Sequence, residues 1–303
     1  MLPEISTHHL TNRNENEWLT CADINNRKEI VCGTDQGIIY QTQPLSSLNE
    51  NNSKYIELRG HTKLISDICY YDPNESYILS CSADNDIRLW RSFSSHCITI
   101  YRSHLSPVWC LSVHSKSDRF ASGSMDRTVR LWTSERLNIL RTFIYHTDDI
   151  NTLSFHPNGK YLASGSNDGL IILWSLDQAQ PARIFKSSSN IEQLTFTSDG
   201  NHLISINYNS EQKSDRINLW DIRSANEICL IENIPSHRRL LKSCQIENTT
   251  KYVTGFNQTL LFFDINNQKE NLKYFSSKLS HTSSKRLIHI SSNESNKAIV
   301  IVE

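Results

Sequence analysis

The chain has 303 residues, of which 38% are hydrophobic and 21% charged, with a formal net charge of −1 and a pI near 6.9. That balance argues against a polyanion-binding or lipid-surface protein, which would carry a basic excess. No apolar run approaches the roughly 20 residues of a membrane span, and the N-terminus, Met-Leu-Pro-Glu-Ile, turns polar at once, unlike a signal peptide.

In chain order, residues 1–12 are polar, with Ile5 and Leu10 as strand positions. Alternation begins at Trp18, with short β-type runs over 18–24, 29–33 and 38–40 divided by Asn-Asn-Arg-Lys and Asp-Gln-Gly turns. A polar loop from Pro44 to Lys54 leads to a strand over 55–59. Three groups of strands follow, opening with 65–71, 108–113 and 150–155 and continuing with 77–81, 119–123 and 161–165. Each group then has an Asp-centred turn, a strand ending in Trp and an outer strand. Next come 191–196 and 202–206, and a turn swollen to residues 207–214, an insertion that a loop accommodates cheaply. Strands over 240–246, 252–255 and 260–264 precede a last pair, 286–290 and 298–302.

The middle of the chain repeats. His104, Ser122, Asp126 and Trp132 recur as His146, Ser164, Asp168 and Trp174 with identical spacing: histidine 22 before aspartate, serine 4 before it, tryptophan 6 after it. His61, Ser80, Asp84 and Trp90 give the same pattern with one extra residue between His and Asp, so the tryptophans fall at steps of 42. Upstream, Thr34-Asp35-Gln36-Gly37 is a copy without its tryptophan. Downstream, Trp220-Asp221 has Asp215 near the expected aspartate and no matching histidine, and His237 to Phe263 puts Asn257 in the aspartate's place.

A period in the low forties with Gly-His and Trp-Asp marks resembles the WD40 family, whose unit is one four-stranded blade of a propeller. The resemblance implies an all-β, seven-bladed WD40 β-propeller whose last blade is incomplete or closed by the N-terminus. Residues 1–17 are expected to be a tail or ring-closing strand, and 18–303 the propeller. It also implies that each His, Ser, Asp and Trp set forms a buried hydrogen-bonded chain, a structural tetrad.

A Ser, His and Asp in reach of one another resemble a hydrolase triad, but three interior copies whose serine also meets a Trp donor fit no nucleophile. No catalytic residue, metal ligand or cofactor is expected: the twelve histidines are scattered and the zinc spacings are missing. The eight cysteines form no Cys-x-x-Cys pair and suit strand interiors in a reducing compartment. Arg238, Arg239 and Lys242 read as a solvated basic cluster, and Trp109 as an aromatic packed in the inner rim. Gly123, Gly165 and Gly255 read as turn residues at strand ends.

Three runs carry a narrower resemblance: Leu-Arg-Gly-His (58–61), Ile-Leu-Ser-Cys-Ser-Ala-Asp (78–84) and Ser-Pro-Val-Trp (106–109). With residues 120–132 and 155–166, they are similar to the propellers of the TFIID subunit 5 family, including its paralogue in the SAGA histone-acetyltransferase coactivator. Family members carry a LisH segment and a helical domain ahead of the propeller, where this sequence has seventeen residues. The resemblance implies a nuclear, non-enzymatic scaffold for RNA polymerase II transcription, monomeric within a complex and docking histone-fold TBP-associated factors without touching nucleic acid or membrane. Contacts are expected at Ala83, Asn85, Trp109, Met125, Arg127 and Asn167, on one rim. A peptide reader or ubiquitin-ligase substrate receptor working through the central pore is the alternative, and it expects charged or aromatic residues at the pore mouth.

Overall fold

Alternating apolar residues in runs of five to nine can bury one face only by stacking sheet on sheet, and a closed ring of sheets leaves no open edge at its ends. The computed structural model describes residues 5–9, 17–25, 27, 29–42, 55–71, 76–114, 117–210, 212, 214–235, 244–245, 251–256, 259–264, 274–275, 287–292 and 298–302. Among these every regular element is a strand.

The strands form seven sheets. Sheet one is β2 (Leu19–Ile24), β3 (Ile30–Thr34), β4 (Ile38–Thr42) and β5 (Tyr55–Arg59). Sheet two is β6 (Ile65–Tyr71), β7 (Tyr77–Ser82), β8 (Asp86–Arg91) and β9 (Cys97–Arg102). Sheet three is β10 (Val108–Val113), β11 (Arg119–Ser124), β12 (Thr128–Thr133) and β13 (Arg136–Ile144). Sheet four is β14 (Ile150–Phe155), β15 (Tyr161–Ser166), β16 (Leu170–Ser175) and β17 (Gln180–Lys186). Sheet five is β18 (Asn190–Phe196), β19 (His202–Asn209), β20 (Ser214–Asp221) and β21 (Glu227–Pro235). Sheet six is β22 (Cys244–Gln245), β23 (Lys251–Phe256), β24 (Thr259–Asp264) and β25 (Tyr274–Phe275). Each is an antiparallel meander in chain order. The seventh sheet has three strands: β26 (Leu287–Ser292), β27 (Ala298–Val302) and, parallel to β27, the N-terminal β1 (Ile5–His9). The first strand β26 returns to lie against β2 of sheet one, which closes the ring.

Side chains on the first strands stitch neighbouring sheets together. The Tyr70 N–H donates to Asp23 at 2.8 Å and the Leu111 N–H to Asp67 at 2.8 Å, while Phe155 N–H reaches Ser112 at 3.2 Å and Leu194 N–H reaches Thr152 at 3.0 Å. These amides face the pore side of each sheet, where no further strand exists to pair them, so the neighbouring sheet's side chain supplies the acceptor.

Between sheets, the buried tryptophan of one packs on the outer strand of the one before. Trp132 meets Tyr101 at 5.5 Å, Trp174 meets Phe143 at 5.2 Å, and Trp220 meets Phe185 at 5.7 Å. Leu58 joins Trp90 in the same way within one apolar cluster. Such aromatic pairs contribute about 0.5–1.5 kcal/mol beyond the area they bury.

Three sequence expectations change. Residues 207–209 and 214 are strand rather than loop: Asn207 pairs with Arg216, Tyr208 with Asp215 and Asn209 with Ser214, so the insertion lengthens the hairpin and keeps its own backbone hydrogen bonds. Gly123 and Gly165 are not turn residues. A Cβ on Gly123 would stand 2.6 Å from Cys110 Sγ and from Ile150 Cγ2, and one on Gly165 would stand 2.4 Å from Ile191 Cγ2, so they are notches for the next sheet. Gly255, too, lies inside a strand, β23. The loop 44–54, His237, Arg238, Arg239, Lys242, Asn257 and His281 lie outside the described residues. Of the sixth sheet's expected opening strand, 240–246, only Cys244–Gln245 is described.

Replacing Gly165 by alanine pushes a methyl group into Ile191. Urea unfolding of Gly165→Ala is expected to show a loss of about 1–3 kcal/mol, whereas a turn glycine with ordinary φ would lose far less.

Candidate functional site

At one end of sheets two, three and four, the loop entering each sheet meets the hairpin between its second and third strands. The structure brings His61, Ser80, Asp84 and Trp90 together there: His61 Nδ1 lies 2.9 Å from Asp84, its Nε2 lies 2.8 Å from Ser80 Oγ, and the Trp90 indole N–H donates to Ser80 Oγ at 2.9 Å. For His104, Ser122, Asp126 and Trp132 the same three distances are 2.7, 2.7 and 2.9 Å. For His146, Ser164, Asp168 and Trp174 they are 2.9, 2.7 and 2.8 Å.

Donor counting fixes the direction of each chain. An indole only donates, so the serine oxygen accepts and its single proton goes to imidazole Nε2. The imidazole then carries its proton on Nδ1, aimed at the carboxylate. The three serines are fully buried, so neither their oxygen nor their proton is free for attack on a substrate.

Each aspartate also ties loop to hairpin. One oxygen of Asp84, Asp126 and Asp168 accepts from the loop amides of Thr62, Leu105 and Thr147, and the other from the hairpin amides of Asp86, Thr128 and Leu170. Burial alone would push these carboxyls up. The hydrogen bond from the histidine, with the backbone donors, outweighs it and brings Asp84 down to about 2, with Asp126 and Asp168 also lowered. Burial holds His104 below the usual imidazole value, against the pull of Asp126.

Sequence reasoning missed a second serine in each set. Ser82, Ser124 and Ser166, two residues before each aspartate, accept its backbone N–H at 3.0–3.1 Å and donate to carbonyls of the entering loop. Their own step of 42 was visible in Ser-Cys-Ser, Ser-Gly-Ser and Ser-Gly-Ser.

Sheet five keeps the chain with other residues. Trp220 donates to Ser205 at 2.8 Å, Ser205 to the Asn207 carbonyl oxygen, and the Asn207 amide to Ser187 at 2.6 Å. Ser187 stands where the other loops have histidine, and Asn207, fully buried on β19, fills the space of the missing ring. In sheet one, Cys32 and Thr42 take the serine and tryptophan positions, and Thr42 accepts the Ile30 N–H at 3.1 Å.

The six rim residues lie beside these struts. Ala83, Met125 and Asn167 each precede a tetrad aspartate, while Asn85 (φ 74) and Arg127 (φ 66) each follow one in the left-handed region that closes the hairpin. Met125 is 47% exposed, and Arg127 is exposed. Trp109 is half-buried, and its indole N–H crosses to Asp149 of sheet four at 3.2 Å. The corresponding Thr20, Ser66 and Asn151 instead donate to the backbone carbonyls of Ile65, Val108 and Ile191.

The WD domain, G-beta repeat family matches residues 52–91, 95–133 and 137–175. Residues 52–175 thus carry WD40 repeats. Each matched repeat takes an outer strand from one sheet and three strands from the next, so Leu58 and Trp90, Tyr101 and Trp132, and Phe143 and Trp174 share a repeat while belonging to different blades. Among curated proteins, the chain is 44% identical over 55 residues to "Protein will decrease acetylation" of Drosophila melanogaster, 18% of this chain and 7% of that one. It is 34% identical over 67 residues to Pre-mRNA-processing factor 19 of Bos taurus, 22% of this chain and 13% of that one. It is 29% identical over 80 residues to Notchless protein homolog of Arabidopsis thaliana, 26% of this chain and 16% of that one. The alignments thus span less than a fifth of each relative's length.

Two outcomes are expected. Ser122→Ala strands the Trp132 donor and the His104 Nε2 together, at about 1–3 kcal/mol for each buried group, and should lower the melting temperature more than Ser134→Ala in the half-buried turn between β12 and β13. Because His104 and the three aspartates are all depressed in the folded state, the unfolded chain binds their protons more readily as pH falls. Thermal melts should therefore hold a plateau above about pH 6.5 and lose stability below it, with the aspartate share lost between about pH 4 and 2.

Proposed function

We propose that this propeller is a non-enzymatic assembly platform in a nuclear RNA polymerase II coactivator of TFIID or SAGA type, on which histone-fold TBP-associated factors dock. One observation carries the reading: the reactive-looking side chains of the rim are spent on one another inside the blades, while the side chains turned outward from the same hairpins are contact-forming ones such as Met125 and Arg127. A rigid frame with outward-facing loops suits docking rather than turnover. WD40 domains mediate protein–protein interactions, and a relative whose printed name refers to acetylation agrees with a histone-acetyltransferase coactivator.

A second reading, a platform in pre-mRNA processing, is favoured by the match to Pre-mRNA-processing factor 19. Affinity purification of the tagged chain with mass spectrometry separates them. Recovery of histone-fold transcription subunits is expected; recovery of pre-mRNA-processing proteins supports the second reading, and a cullin adaptor would replace both with a ubiquitin-ligase role.

A further inference from the structure

The exposed apolar side chains of the rim are not spread evenly over its blades. Leu105 is 83% exposed, Ile144 75%, Tyr145 49% and Met125 47%. All four gather at the tetrad end of sheet three, and its hydrogen bonds show why. Asp126 accepts the Leu105 N–H at 3.2 Å through one oxygen and the Thr128 N–H at 3.0 Å through the other. Thr128 is the register partner of Ile144, Tyr145 follows Ile144 in the chain, and Met125 precedes Asp126. Met125 is further tied to the entering loop by its N–H to Pro107 O at 2.9 Å. One buried carboxylate thus organises three chain segments into one apolar patch.

The same positions on the neighbouring blades are polar or small: Thr62, Ala83 and Arg102 on sheet two, and Thr147, Asn167 and Lys186 on sheet four. The repeat geometry therefore does not require apolar residues here. Leaving Leu105, Ile144 and Met125 all at least 47% exposed at one end of one sheet has a solvation cost that a partner would remove.

Two cations flank the patch. Arg102, at the end of β9 beside the Leu105 loop, has a side chain 70% exposed and only a 3.4 Å contact to Asp86. Arg127, between Asp126 and Thr128, is exposed; its backbone N–H is held by Ser124 O at 3.1 Å and its charge acts on Asp149. Each cation has one acidic neighbour, Asp86 for Arg102 and, for Arg127, Asp149, which the Trp109 indole N–H also holds.

We propose that this edge of sheet three docks an acidic amphipathic helix of a partner protein. The patch is built from loop ends and only the last residue of the edge strand β13, so a strand added along β13 would reach Ile144 and none of the other anchors. What it offers is separated apolar anchors, which residues at i, i+3, i+4 and i+7 of a helix match. Carboxylates flanking the apolar stripe would meet Arg102 and Arg127 at the polar margin. The proposal rests on the assembly-platform reading only in taking the partner to be a protein, and it adds the surface and its chemistry.

The test is selection from a displayed library of peptides about four helical turns long on the immobilised full chain. Enriched peptides should carry apolar residues three and four apart with aspartate or glutamate beside them. Their binding should fall about tenfold or more in Leu105→Asp and in Ile144→Asp, fall more modestly in Arg127→Gly, and weaken with salt. Both aliphatic side chains are highly exposed, and glycine suits the backbone at Arg127, so unchanged melting temperatures are the control for folding. Basic peptides, peptides without helical spacing, binding indifferent to these substitutions, or no enrichment at all each overturn the patch. Purifying Leu105→Asp/Ile144→Asp beside the unaltered chain distinguishes the two failures. Equal recovery of partners refutes the patch and spares the platform; no partners for the unaltered chain refutes the platform itself.

Discussion

A serine hydroxyl has one proton to give, and in this protein that fact sets the direction of everything around it. Once the indole N–H of Trp90, Trp132 or Trp174 has taken one lone pair, the proton must go to the imidazole, and the imidazole must present its remaining proton to the aspartate. The chain runs one way, from the apolar gap between two blades out to the hairpin at the rim. Because every member is buried, each link is held by the cost of leaving its neighbours unpaired rather than by its own modest net strength. The core packing between blades and the shape of the rim hairpins are therefore not independent: a displaced tryptophan would misplace the loop that the aspartate holds.

Sheet five shows what in that arrangement is necessary. It has no imidazole and no carboxylate in the chain, yet Trp220, Ser205, Asn207 and Ser187 keep the same sense of donation through a side-chain amide, which also both accepts and donates. What the fold requires is a relay of matched donors and acceptors from the tryptophan to the entering loop. Histidine and aspartate are one way to supply it, with the addition that the carboxylate has oxygen to spare for two backbone amides.

How much of this was legible in the sequence depended on whether a feature repeated. The positions of the tetrad residues, the seven-part division and most strands followed from residues at a fixed step, because each copy tests the others, while the hydrogen-bonded order within a tetrad came from the WD40 resemblance. The serines at 82, 124 and 166 and the outer-strand aromatics at 101, 143 and 185 had the same step and were overlooked, since they stand among commoner residues and lack a family mark. Asn207 stands at the second serine's offset, two after Ser205, and its role was illegible because it does the work of a loop histidine from a strand position. Gly123 and Gly165 misled because glycine in sequence signals a turn, whereas here the demand comes from a neighbouring sheet's isoleucine and nothing local announces it. Leu105 and Ile144 could be read as exposed only once their strands and loops were placed.

The parallel pairing of Ile5–His9 with Ala298–Val302 has a consequence for biosynthesis. At ribosomal rates of roughly 5–20 residues per second, the first strand emerges about 15–60 s before its partner exists. Through that interval the growing chain is an open arc whose first sheet has an apolar face uncovered, and such faces invite association with other chains. A newborn molecule of this kind would be most in need of chaperone cover just before its last strand appears, and least in need of it immediately afterwards.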